Sequence, residues 1–189
     1  MPGTSDYADE VGSLVREMQV LGLTPILVGG MALVLLGSQR VTRDFDFVIA
    51  KPNEHLNALI EVLYARGLEL VSRLNDAGEV VSTIDNRRIA VIRLRIDAPA
   101  SAGFFNPTTG LRVDLLFDFP ILAAELAQGA TKIRVRSRAL HVASERDLLR
   151  LKRIAKRQRS SPGDTLDIAF LETRRRKARR KQPDGPGKA

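Results

Sequence analysis

The sequence predicts an α/β domain with a mixed, twisted sheet flanked by helices, followed by a small C-terminal helical segment. Three observations point there. Apolar residues recur at helical spacing in some segments, as at Val11, Leu14, Val15, Met18 and Leu21, and alternate in others, as over residues 111–117. Gly22, Gly37 and Gly67 stand where one pattern gives way to the next. The helical and extended segments are also interleaved rather than grouped in blocks, which is the order of an α/β fold.

Taken in order, residues 6–21 read as an amphipathic helix stopped by Gly22, and residues 26–28 as a short buried strand after Pro25. Residues 31–36 are apolar all round, so a helix there is buried, and Gly37 ends it. Residues 45–49 form the next strand, and Pro52 opens a helix through Arg66 that stops at Gly67. Residues 68–71, 80–84 and 89–96 read as strands, the last two joined by a tight turn at 85–87. The stretch DAPASAGFFNPTTG, residues 97–110, reads as a long connection, either a lid over a substrate or simply a mobile loop. Residues 111–117 alternate cleanly as a strand. A helix at 121–127, a basic hairpin at 132–142 and helices at about 144–157 and 164–175 complete the chain, with no internal repeat.

Composition narrows the chemistry. With 189 residues, 44% of them hydrophobic and 28% charged, the chain can fill a core and is not of disordered type. The absence of cysteine excludes disulfides and thiolate zinc sites, and His55 and His141 are its only imidazoles. The N-terminal MPGTSDYADE lacks the basic and apolar regions of a signal peptide, and no apolar run reaches membrane-spanning length. A cytoplasmic address without membrane contact is expected. Of the net charge of +8, residues 174–189 carry +7, a basic stretch expected to be a flexible tail. Arg146, Arg150, Arg153 and Arg157 would line up on one helix face, either as a solvated surface or as a contact for an anion.

The chemistry concentrates in LVGGMALVLLGSQRVTRDFDFVIA, residues 27–50. Asp44 and Asp46 lie two apart in a strand and so project to one face, while Phe45 and Phe47 project to the other. Adjacent carboxylates repel, and a hard divalent cation relieves that repulsion. Upstream, Gly29 and Gly30 stand between a strand and an apolar helix, where the missing side chains let backbone amides approach an anion. Amides that hold phosphate beside carboxylates that hold metal are the parts of phosphoryl-transfer chemistry.

An apolar strand ending in Gly29-Gly30, thirteen intervening residues and then Asp44-Phe45-Asp46 resembles the signature of the DNA polymerase beta-like nucleotidyltransferase superfamily. GSQRVTRDFDF, with Arg40 and Thr42 ahead of the carboxylates, is most similar to bacterial AbiEii-type toxins and to small antibiotic nucleotidyltransferases. The resemblance implies a nucleotidyltransferase fold over residues 1–143, with helices at 144–173 completing the nucleotide site. It implies a third carboxylate from a later strand: LRVDLLFDF offers Asp114, with Asp118 as the fallback. Asp44, Asp46 and Asp114 would then bind two Mg2+ ions, with Mn2+ as a substitute, and carry catalysis. Gly29, Gly30, Arg40, Thr42, Lys152 and Asp164 would face the nucleotide. Arg40 and Thr42 could instead brace the loop carrying the aspartates, any of several basic residues near Lys152 could serve in its place, and Asp164 fits an N-cap equally well.

The implied reaction moves a nucleoside monophosphate from a nucleoside triphosphate to an acceptor. The basic stretches favour RNA, such as tRNA, in a toxin–antitoxin setting with an antitoxin protein as partner. The alternatives are an antibiotic, another small molecule or a protein as acceptor and, in a different class, a non-catalytic RNA-binding module on a degenerate scaffold.

Overall fold

The computed structural model describes residues 4–158 and 162–181. The chain divides into two compact units, residues 1–143 and 144–189. Its elements run α1 (Thr4–Val20), β1 (Ile26–Val28), α2 (Gly29–Leu35), β2 (Asp44–Ile49), a 3-10 turn (Asn53–His55), α3 (Leu56–Tyr64), β3 (Glu69–Leu74) and β4 (Val80–Ile84). There follow α4 (Arg87–Asp97), β5 (Ser101–Phe105), β6 (Arg112–Phe117), α5 (Ala123–Gly129), β7 (Thr131–Val135), β8 (Arg138–Val142), α6 (Glu145–Gln158) and α7 (Pro162–Lys181).

The first unit is built on one eight-stranded sheet of order β4-β3-β5-β6-β2-β1-β8-β7. It is mixed: β2 runs parallel to β6 and β1 parallel to β8, while the other neighbours are antiparallel. Leu27, Phe47 and Leu115 occupy one register row and are fully buried. With Phe45, Ile49, Val113 and Val142 they form the apolar side of the central strands, each such large side chain contributing roughly 1.5–3 kcal/mol by leaving water. Val11, Leu14, Val15 and Met18 are buried too, as the spacing of α1 predicts. The opposite face of β2 and β6 therefore carries Asp44, Asp46, Arg112 and Asp114.

Two elements differ from the sequence reading. Residues 87–97 are helix α4, not a strand. The Ile-Arg-Leu-Arg-Ile alternation over 92–96 mimics a period of two, but the buried residues are Ala90 and Leu94, four apart. Asn86 sets the helix: its Oδ1 accepts from the Arg88 and Ile89 amides at 3.0 and 3.2 Å, an N-cap worth ~1 kcal/mol. The supposed lid at 97–110 contains strand β5, hydrogen-bonded between β3 and β6 with Ala102 and Phe104 buried. What remains of the connection is a tight turn in which Asn106 Oδ1 accepts from the Thr108 and Thr109 amides.

The second unit is the helix pair α6 and α7. Ser144 caps α6 by accepting from the Asp147 amide at 3.2 Å. Leu148, Leu149 and Lys152 are buried, whereas Arg146, Arg150, Arg153 and Arg157 are exposed on the other side. Helix α7 continues to Lys181, so residues 174–181, expected as part of a flexible tail, are helical; residues 182–189 lie outside the described residues. Among the described residues no helix is long and apolar enough to cross a membrane.

Candidate active site on the open face of the sheet

The parallel register of β2 and β6 sets Asp46 directly opposite Asp114, and Asp44 opposite Arg112. The antiparallel partner β1 ends beside them, with Val28 opposite Asp46, so the chain turns into α2 at Gly29 next to that carboxylate. Gly29 has φ +65, and a Cβ there would stand 1.9 Å from Asp46 Oδ2. A side chain at 29 is therefore excluded twice, by backbone conformation and by the carboxylate. Gly103 does the same across β5 and β6: it pairs with Asp114, and a Cβ would come within 2.8 Å of its Oδ1. Two glycines thus clear the space around two facing carboxylates. Gly29 is legible as half of a Gly-Gly pair, whereas Gly103 lies in a stretch whose composition reads as a loop.

Arg112 is the second residue that sequence reasoning did not place in the site. Its Nε contacts Asp114 Oδ1 at 3.2 Å, and its Nη1 donates to the Gly78 carbonyl at 3.1 Å. A residue two positions from a candidate aspartate in a strand shares its face, and that spacing is the signal that could have found it. Burial pushes the Asp114 carboxyl above its usual range; the Arg112 guanidinium pulls the other way, and the charge of Asp44 raises it further. A cavity of about 400 Å³ opens here, lined among others by Asp46, Asp114, Arg112, Arg73, Ser72 and Ser101.

The remaining candidates are distributed as follows. Arg40 packs over the start of α2, with its Cζ 3.0 Å from where a Gly30 Cβ would stand. Thr42 is half-buried in the loop before β2. Asp118, the fallback carboxylate, is committed to structure: its Oδ2 accepts from the Lys51 amide at 3.1 Å and its Oδ1 from the Ala123 amide at 2.9 Å. Lys152 and Asp164 belong to the second unit and meet each other there. Lys152 Nζ lies 3.1 Å from Asp164 Oδ1 and 2.7 Å from Asp167 Oδ2, and all three side chains are buried. Asp164 is not an N-cap, because α7 begins at Pro162 and places it inside the first turn.

For a metal ion the donor chemistry fits in part. Asp46 and Asp114 offer hard oxygens side by side, and the raised Asp114 carboxyl and the adjacent Asp44 are a repulsion that a cation would relieve. Yet no group of three or more His, Cys, Asp or Glu among the described residues converges to hold an ion. Asp44, Asp46 and Asp114, which the sequence resemblance gives as ligands of two Mg2+ ions, share one sheet face, with Asp46 opposite Asp114. Magnesium commonly takes one or two carboxylates and completes its shell with water and substrate phosphate, which is the arrangement this geometry suits.

No family model matches the sequence, and no curated protein matches it. Solved structures do. An antigenic nucleotidyltransferase-like protein from Paracoccidioides brasiliensis aligns over 86% of this chain and 73% of its own, at TM-score 0.56 and 17% identity. The lincosamide antibiotic adenylyltransferase LnuA, solved with lincomycin bound, aligns over 87% of this chain and 95% of its own, at TM-score 0.54 and 14% identity. The antibiotic-resistance factor ANT(2'')-Ia aligns over 87% and 84%, at TM-score 0.50 and 14% identity. With its mixed eight-stranded sheet, flanking helices and C-terminal helix pair, the chain has the fold of these nucleotidyltransferases.

Proposed function

We propose that this chain is a metal-dependent nucleotidyltransferase that moves a nucleoside monophosphate from a nucleoside triphosphate to a hydroxyl of RNA. The observation that carries the reading is the pair Asp46 and Asp114, opposed across parallel strands at the edge of a cavity and given room by Gly29 and Gly103. Asp46 and Asp114, with Asp44 beside them, would hold magnesium, which supplies charge neutralisation for the triphosphate. The acceptor oxygen attacks the α-phosphorus, the bond from that phosphorus to the bridging oxygen breaks, and pyrophosphate leaves with the electron pair. Asp114 in its ionised form, its proton affinity raised by burial, takes the hydroxyl proton. The amides at the start of α2 approach the triphosphate where Gly29 and Gly30 carry no side chain, and Arg40 and Thr42 stand near that end.

Support for an anionic acceptor comes from the cavity wall, where Arg73 and Arg112 would repel a polycation and attract phosphate. The toxin–antitoxin setting, an antitoxin partner and a cytoplasmic address belong to this proposal through the sequence resemblance alone. A second reading, a small hydroxylated acceptor, is favoured by the cavity size of about 400 Å³, which suits a drug-sized molecule. The test incubates the full chain with magnesium and each α-labelled triphosphate in the presence of total RNA, a protein extract or a lincosamide. Label in RNA is the expected outcome. Label confined to the antibiotic selects the second reading, and no label in any fraction overturns the enzyme assignment.

A further inference from the structure

Helix α4 buries Ala90 and Leu94 and turns a second apolar row outward. Ile89, Ile92 and Ile96 are 49%, 55% and 75% exposed and are spaced i, i+3, i+7, so they form one continuous stripe. Three isoleucines in a row on solvent are unlike scattered surface hydrophobics, which need no explanation. The flanks of the stripe are all of one sign. Arg88 and Arg95 border it on one side and Arg93 on the other, each exposed. Arg93 pairs with Asp97 along α4 at 3.2 Å, and Arg95 donates across to Asn57 of α3 at 3.1 Å.

In heptad terms the isoleucines occupy the a and d positions and the arginines the e and g positions. We propose that α4 is a docking seam for an amphipathic helix of another protein, one with apolar a and d positions and acidic e and g positions. Charge decides the occupant. A second copy of this chain would set arginine against arginine in either relative orientation, so the seam rejects itself. The segments of the chain outside the described residues contain a single acidic residue, Asp184, and cannot supply the complementary charges. An acidic helix would meet Arg88 and Arg95 on one side, compete with Asp97 for Arg93 on the other, and cover the isoleucines at once.

The test uses the full chain and a fluorescent three-heptad peptide with Ile at a and d and Glu at e and g; its counterpart has Lys at e and g. The acidic peptide is expected to bind with an affinity that falls as salt is raised, and the basic peptide not to bind. Ile92→Ser should weaken the acidic peptide about tenfold or more, as loss of a central anchor does. Ile92 is half exposed, so the variant should fold, and circular dichroism checks this. A second variant, Arg88→Glu with Arg95→Glu, should reverse the preference between the two peptides. Equal binding of both peptides, no binding of either, or an unchanged affinity in Ile92→Ser overturns the proposal. So does self-association, or pelleting with phosphatidylserine vesicles, that Ile92→Ser abolishes; the first would make the occupant a second copy and the other a membrane surface.

Discussion

Two places in this chain group aspartates with one basic side chain, and they solve the problem of clustered charge in opposite ways. In the second unit, Lys152 Nζ touches both Asp164 and Asp167, and the three side chains are 10% exposed or less. On the sheet, Arg112 reaches Asp114 with one nitrogen and spends another on the Gly78 carbonyl, while Asp44 and Asp46 crowd the same face beside an open cavity. The first cluster is sealed, with its cation shared between both acids. The second is reachable by solvent and keeps a carboxyl whose ionisation the protein disfavours. A sealed, shared charge fits the holding of two helices in one register, and an open, crowded one fits the proposed role of receiving a cation and a substrate.

That contrast breaks most sharply at Lys152. Lys152→Met leaves two buried carboxylates without their ammonium, and we expect a loss of about 3–5 kcal/mol in the stability of the helix pair. Urea unfolding followed by circular dichroism measures it, and a loss under about 1 kcal/mol would show that the cluster is not structural. Asp46→Asn should behave in the reverse manner. It removes one of several like charges, so stability should change by no more than ~1 kcal/mol, while transfer activity should fall about a hundredfold or more as a ligand for the metal is lost. Full activity in folded Asp46→Asn protein would remove the sheet site from the mechanism.

The two regions were also unequally legible in the sequence. The placement of Asp44, Asp46 and Asp114 on strands follows from short-range pattern, because a period of two and the buried Phe45, Phe47, Val113 and Leu115 dictate which way each side chain points. Gly29 is equally local. Gly103 was not visible because β5 is a short run, SAGFF, whose strand character comes from neighbours on both sides rather than from its own composition. Helix α4 is hard to read for the converse reason: its outward isoleucines imitate a strand, and only the cap at Asn86 and the burial of Ala90 and Leu94 reveal the helix. Lys152 is one of seven basic residues from position 146 to position 159, and the spacing alone does not say which of them is buried, since that depends on how α7 packs on α6.

The smallest effect lies in the pH dependence of stability, and it sharpens the comparison at Asp114. Burial and the charge of Asp44 hold its carboxyl above the ordinary value of 3.8, against the pull of Arg112. The folded state therefore binds this proton more tightly than the unfolded chain does. By linkage, the stability contributed by the protonated acid is fully present below 3.8 and is lost as pH rises through the higher folded value. Asp114→Asn cannot ionise, so the difference between wild type and variant should drift in favour of the variant as pH increases across that window and level off above it. Urea midpoints of both proteins from acid to neutral pH give this difference directly. A flat difference would mean that the surroundings of Asp114 do not oppose its charge. Magnesium at neutral pH should shrink the advantage of the variant, because a cation between Asp46 and Asp114 favours the ionised form that only the wild type has. If magnesium leaves the difference unchanged while it supports transfer, the metal is held elsewhere and the crowding on the sheet serves the substrate alone.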